Sequence, residues 1–330
     1  MALAPASSKV IVAAELYQDD DRIWIIVADP RNPDSPILRP LNIPSDKLDL
    51  AANLVRRCEL TPLACEMLSE LCAHIASELS SIAEGAGALV VSPHGLLHML
   101  PLCTGRVPDG RCLAEALQTV VMPSTSFLSV LATGEPHVSV KGATVIKGPE
   151  TDCGESIGLV TSALEEAFLE SRPELPLSVV DYARKQKPGR IVFVAAHGRP
   201  SELFLADHRG WPVWVPAERL AEALGRPAFV HLAVCRSAIS DVADDEEPLG
   251  LVWPLLASGT RAVASSLWDV EAKAAAAFAR RLVGRMLEGA PLGRAFGRAL
   301  SEQRNDHSFT DYRDWAGFVL NGDWRVRLTR

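Results

Sequence analysis

Residues 229–270 read FVHLAVCRSAISDVADDEEPLGLVWPLLASGTRAVASSLWDV. The stretch opens on a largely apolar run, Phe229 to Val234, and delivers Cys235 at its end. A run this short and apolar, bounded by polar loop chemistry, predicts a buried parallel strand. Upstream, Arg190 to Ala196 (RIVFVAA) has the same character and ends on His197-Gly198. Open α/β sheets gather their ligands outside the carboxyl ends of their strands. Two neighbouring strand ends of this kind present an imidazole and a thiol to one crevice.

That pairing has a chemical use. The thiolate, not the thiol, attacks a carbonyl, and a free cysteine is mostly protonated at neutral pH. His197 is placed to take the proton as general base and return it to the leaving amine. The backbone N–H groups of Gly198 and Cys235 are the candidate oxyanion donors. Gly198 has no Cβ, which lets a substrate backbone approach closely. Histidine first and cysteine about forty residues later is the caspase-like order rather than the papain-like one. A structural reading competes, because buried free cysteines and strand-end histidines are common. The pair of strand ends, one βαβ crossover apart, is what argues for chemistry.

The chain resembles the CHAT family of caspase-like cysteine peptidases, the separase-related group of clan CD. The matching residues are spread along it: Val90-Val91-Ser92-Pro93-His94-Gly95 with Leu100-Pro101, then Met122-Pro123-Ser124, then Ala196-His197-Gly198. Leu232 to Ala238 resembles the cysteine motif, followed by Gly250, Leu256-Ala257-Ser258-Gly259 and Ser266-Leu267-Trp268-Asp269-Val270. Trp315 to Gly322 resembles the closing Trp-x-x-Phe-x-x-x-Gly segment. The resemblance implies an α/β fold with a mostly parallel, caspase-like sheet flanked by helices. It also implies a catalytically silent caspase-like half over residues 1–138 and a catalytic half over 139–330. His197 would be the base and Cys235 the nucleophile, with no cofactor or metal.

Composition narrows the class. A chain of 330 residues with 48% hydrophobic and 22% charged residues is folded and long enough for two subdomains. A net charge of −8 argues against a nucleic-acid partner, which favours a basic face. Seven cysteines form no CxxC pair, and Met1 to Ser8 shows no charged n-region, which together point to a reducing cytoplasm. No apolar run approaches the roughly 20 residues that span a bilayer, so no membrane partner is expected.

In chain order, Val10 to Arg31 predicts a β-hairpin and the proline-rich Pro30 to Pro44 a loop or irregular edge. Ser45 to Ser81 predicts two helices, the second capped by Thr61 with Pro62 at its first position. Cys58, Cys65 and Cys72 recur every seven residues, which predicts one helix face. His94 and His98 have an i, i+4 spacing that suits metal ligands, but no third ligand stands nearby and both read as structural. After Thr133-Gly134-Glu135-Pro136 come a strand at Lys141 to Lys147, a helix at Glu155 to Ser171 and a basic helix tail at Val179 to Lys187. The loop carrying Asp241, Asp244, Asp245, Glu246 and Glu247 reads as a solvated face or a gate beside the nucleophile. Ala272 to Glu288 and Leu292 to Arg304 are amphipathic helices that cover the sheet.

Relatives of this kind often cut after arginine or lysine, using an acid in the primary pocket. Separase-like sequences carry a further aspartate where Ala272 stands here. Asp269 and Glu271 are therefore the substitute acids, beside Trp268, for a basic residue before the cut. The expected partners are a protein substrate and a separate sensor or activator protein, and the resemblance implies a bacterial defence role. A non-catalytic caspase-like interaction module is the alternative, and an acyltransferase or transpeptidase-like thiol chemistry is a third.

Overall fold

The computed structural model describes residues 10–19, 22–131, 137–139, 143–149, 156–167, 191–207, 209–239 and 250–329. The expected basic helix tail at 179–187 and the acidic loop at 240–247 lie outside them. The chain begins with an antiparallel meander, β1 (Ile11–Gln18), β2 (Ile23–Ala28) and β3 (Ile37–Leu41). The third strand corrects the loop expected over Pro30 to Pro44. Pro40 is tolerated there because β3 ends the sheet, and an edge strand can spare a donor.

Helices α1 (Ser45–Arg57) and α2 (Pro62–Ile82) follow as expected. The Thr61 hydroxyl accepts from the Ala64 N–H at 3.3 Å, and Pro62 opens α2. The seven-residue cysteine spacing straddles this break. Cys65 and Cys72 are buried on α2, while Cys58 ends α1 in a left-handed conformation (φ 57°). The three therefore do not share one helix face.

Next come β4 (Ala88–Pro93), α3 (Leu113–Ala116), β5 (Gln118–Val121), α4 (Phe127–Leu131) and β6 (His137–Ser139). His98 is buried, and its ring is pushed down to about 3 by burial and then by nearby His94. No cluster of three metal-ligating side chains occurs among the described residues.

The remaining elements are β7 (Ala143–Lys147), α5 (Ser156–Ala167), β8 (Ile191–Ala195), β9 (His197–Arg199), β10 (Glu202–Ala206), β11 (Pro212–Pro216), α6 (Ala217–Leu224) and β12 (Phe229–Ala233). They close with α7 (Val252–Ala257), β13 (Ala262–Ser266), α8 (Ala272–Leu287), α9 (Leu292–Arg304), β14 (Phe318–Gly322) and β15 (Arg327–Thr329). Ten strands form one sheet in the order β3-β2-β1-β4-β5-β14-β13-β12-β8-β7. Six of its nine ladders are parallel; only those in the first meander and between β13 and β14 are antiparallel. The late strand β14 lies between β5 and β13, so one continuous sheet joins the early and late parts of the chain.

Strand alternation sorts the core into two layers. Val192, Val194, Val230 and Leu232 face α6 and α7, while Ile191, Phe193 and Phe229 face the main core with α5 and α8. At the far end, the fully buried Asp323 carboxylate receives Arg261 and Arg325. Burial alone would raise its carboxyl, yet the two guanidiniums and the Arg325 N–H hold it below the usual range. A depressed carboxyl stabilises the fold above its unfolded pKa, and that stability is lost as pH falls through the folded value. The unfolding temperature is expected to fall steeply below about pH 4, and an Asp323→Asn protein should show a shallower acid slope.

Candidate active site

The two predicted residues come together through register. β8 and β12 are parallel neighbours with Ala195 opposite Ala233. His197 and Cys235 each stand two residues beyond that pair, and both line one cavity of about 80 Å³. Ala195, His231, Ala233 and Ala275 also line it, placing it between the sheet and helices α5 and α8.

Gly198 needs its missing side chain for a packing reason. A Cβ there would stand 2.2 Å from Val234 Cγ1 and 3.0 Å from the Cys235 carbonyl oxygen. The histidine strand thus presses directly on the cysteine strand. From His197 the chain enters the small antiparallel sheet β9-β10-β11, with His197 opposite Phe204.

Past Cys235 the backbone turns sharply. Arg236 takes a left-handed conformation at φ 54°, which costs a residue with a Cβ about 1–2 kcal/mol. The turn is held by hydrogen bonds that sequence reasoning did not find. The fully buried Ser237 Oγ accepts from the Ser266 N–H at 2.9 Å, and the Ser266 hydroxyl donates to the Val234 carbonyl at 3.0 Å. The Ala238 N–H donates to the Ser266 carbonyl at 2.9 Å. Arg236 Nη2 donates to the Arg56 carbonyl at 2.8 Å, fastening this turn to the end of α1.

The thiol itself is held neutral. Burial first, then the Asp269 carboxylate beside it, push Cys235 up to about 11. The Val270 N–H opposes this by donating to the sulfur, and Cys58 adds a smaller upward push. Asp269 therefore faces the thiol, yet neither Asp269 nor Glu271 lines the cavity; both are exposed outside it. Trp268 is fully buried, and its indole N–H donates to the Arg313 carbonyl at 2.8 Å. It supports the site from within the core.

Comparison with known proteins shows the fold and the family. No curated protein matches the chain. Two crystal structures of the Saccharomyces cerevisiae separase–securin complex are similar to it at TM-scores of 0.67 and 0.66, with 11% identity. Each comparison covers 97% of this chain and 30% of the separase chain, so the chain corresponds to under a third of that protein. The Arg-specific cysteine proteinase gingipain R (RgpB) matches at a TM-score of 0.47 and 10% identity, over 86% of this chain and 75% of its own. The likeness to separase shows a shared fold: a mixed, mostly parallel sheet flanked by helices. The CHAT domain family matches residues 61–323, most of the length, and the chain belongs to that family.

Proposed function

We propose that the protein is a cysteine endopeptidase acting on a protein partner. One observation carries the reading: paired strand ends deliver His197 and Cys235 to the same cavity. His197 takes the thiol proton as the Cys235 sulfur attacks the scissile carbonyl, and returns it to the leaving amine as the acyl-enzyme forms. Water, activated by the same imidazole, then releases the acyl group. The backbone N–H groups of Gly198 and Cys235 receive the oxyanion.

The neutral thiol supports a resting, latent enzyme. Asp269 disfavours the thiolate, so a cation brought beside it relieves that penalty. A basic residue of the substrate beside the cut, met by Asp269 and Glu271, would do so. A separate activator protein that displaces Asp269 would do the same. The separase structures likewise hold a second protein, securin, in complex. We place this triggered cleavage in a bacterial defence system, the setting the family resemblance implies.

The test is a digest of a proteome-derived peptide library by the wild type and by Cys235→Ala, with new termini identified by mass spectrometry. Cuts made only by the wild type are the expected result. The same thiol pKa favours a second reading, a non-catalytic interaction module. Equal, cut-free behaviour of both proteins, in the library and in host lysate, would establish that one instead.

A further inference from the structure

The small sheet that leaves the site carries a surface of its own. Across β9, β10 and β11, His197, Phe204 and Trp214 stand opposite one another in a single row. Residues directly opposite in antiparallel strands share a face. Leu203 and Leu205, which alternate with Phe204, are buried with α6 and α7 on the other face. The row therefore lies on the side turned away from those helices. Phe204 is half-buried and Trp214 is 39% exposed. Their ring centroids are 5.1 Å apart, and the Arg199 guanidinium lies over the indole at 4.3 Å. Glu202 pairs with that guanidinium. The indole is thus held in place before any ligand arrives, and a rigid aromatic group offers contact area at little cost in entropy.

The direction of the row follows from its neighbours. On one side of the histidine strand, Gly198 lies against Val234 and Cys235 of the β12 segment. On the other side, Gly148, just past β7, donates its N–H to the Ala195 carbonyl at 2.8 Å. A Cβ on Gly148 would stand 2.6 Å from the Phe204 carbonyl oxygen, so β10 lies on the β7 side. Because β12 and β7 flank β8 on opposite sides, the order across the surface is Cys235, His197, Phe204, Trp214. In the proposed reaction the Cys235 sulfur takes the carbonyl carbon, and His197 serves the amine that leaves. The chain that begins at that amine starts at His197 and continues, away from the thiol, over Phe204 and Trp214. Neighbouring strands are about 4.8 Å apart, which puts Phe204 about 5 Å and Trp214 about 10 Å beyond His197. An extended peptide rises about 3.4 Å per residue, so the second and third residues after the cut lie over the two rings.

We propose that Phe204 and Trp214 form a subsite for the substrate segment after the cut, selecting a large apolar residue at its second or third position, with Trp214 as the specificity determinant. This subsite rests on the peptidase reading above and deepens it. With the Arg199 charge already met by Glu202, the rings and not a charge do the selecting.

The library digest is run with wild type, Trp214→Thr and Trp214→Phe, each first checked for cooperative thermal unfolding. Threonine suits a strand, so the edge keeps its shape. Wild-type cut sites should carry phenylalanine, tyrosine, leucine or methionine two or three residues after the cut. Trp214→Thr should erase that preference, and Trp214→Phe should keep it. The most-cut sequence is then made as a full peptide and as a shortened form that ends at the cut in an aminocoumarin amide. The ratio of kcat/KM on the full peptide to that on the amide should fall about tenfold in Trp214→Thr, as for one lost apolar contact. If Trp214→Thr does not fold, Phe204→Thr takes its place. Equal losses on both substrates would mean that the ring only supports the strand carrying His197, and would overturn the subsite. Wild-type cuts with no apolar preference at these two positions overturn it as well, and leave the peptidase reading standing. Absence of any Cys235-dependent cut overturns the peptidase reading, and the subsite falls with it.

Discussion

Gly198→Ala is expected to lower peptide cleavage by about 10²- to 10³-fold while the chain still folds. The added Cβ would meet Val234 Cγ1 at 2.2 Å, too close for any side chain, and the Cys235 carbonyl oxygen at 3.0 Å, a tight contact. Val234 is buried, 3% exposed, among the residues under α6 and α7, so it has little room to retreat. The easier relief is for the strand end carrying His197 and Gly198 to move away from β12. That motion separates the proposed base from the thiol and shifts a proposed oxyanion donor, and donors act only at hydrogen-bond distance from the developing charge. Overpacking of this kind costs about 1–3 kcal/mol, which a sheet of this size tolerates. Cleavage rates and thermal unfolding measured together check the argument. Wild-type rates in a variant with unchanged stability would mean that the two strand ends do not act as one unit.

The parts of the site that sequence showed are those encoded by local pattern. β8 and β12 are short apolar runs because both their faces are buried, and such runs are visible without a structure. His197 and Cys235 stand at the ends of those runs. Strands that break the pattern were not legible. β3 (ILRPL) and β11 (PVWVP) contain prolines and lie at sheet edges, where a missing donor is tolerated and an exposed face removes the apolar signal. The cysteine repeat misled because seven-residue spacing counts positions and ignores the break at Cys58 to Thr61. The clasp between Ser237 and Ser266 joins residues far apart in the chain, and two serines leave no local trace of it. The left-handed Arg236 is likewise set by the turn it occupies, not by its own preference.

Asp269→Asn is expected to separate the reactivity of the thiol from its burial. In the wild type the neutral thiol is favoured first by burial and second by the Asp269 charge, which is exposed yet faces the sulfur. Asparagine keeps the size and removes the charge, leaving burial and the Val270 N–H in place. The thiol pKa should then fall, because the cause that ranks next after burial is gone. Alkylation by iodoacetamide proceeds through the thiolate, so at a fixed pH below the pKa its rate should rise about tenfold. The wild-type rate should still be climbing toward pH about 11, while the variant levels off earlier. Cys58 is the second thiol near the site, so the alkylated residue is identified by peptide mapping, and Cys235→Ala supplies the blank. An unchanged rate and profile would mean that burial alone keeps the nucleophile protonated. In that case, an activator would have to open the cavity to water and could not work by neutralising Asp269. A raised rate makes this carboxylate the brake, and any cation delivered to the rim becomes a means of releasing it.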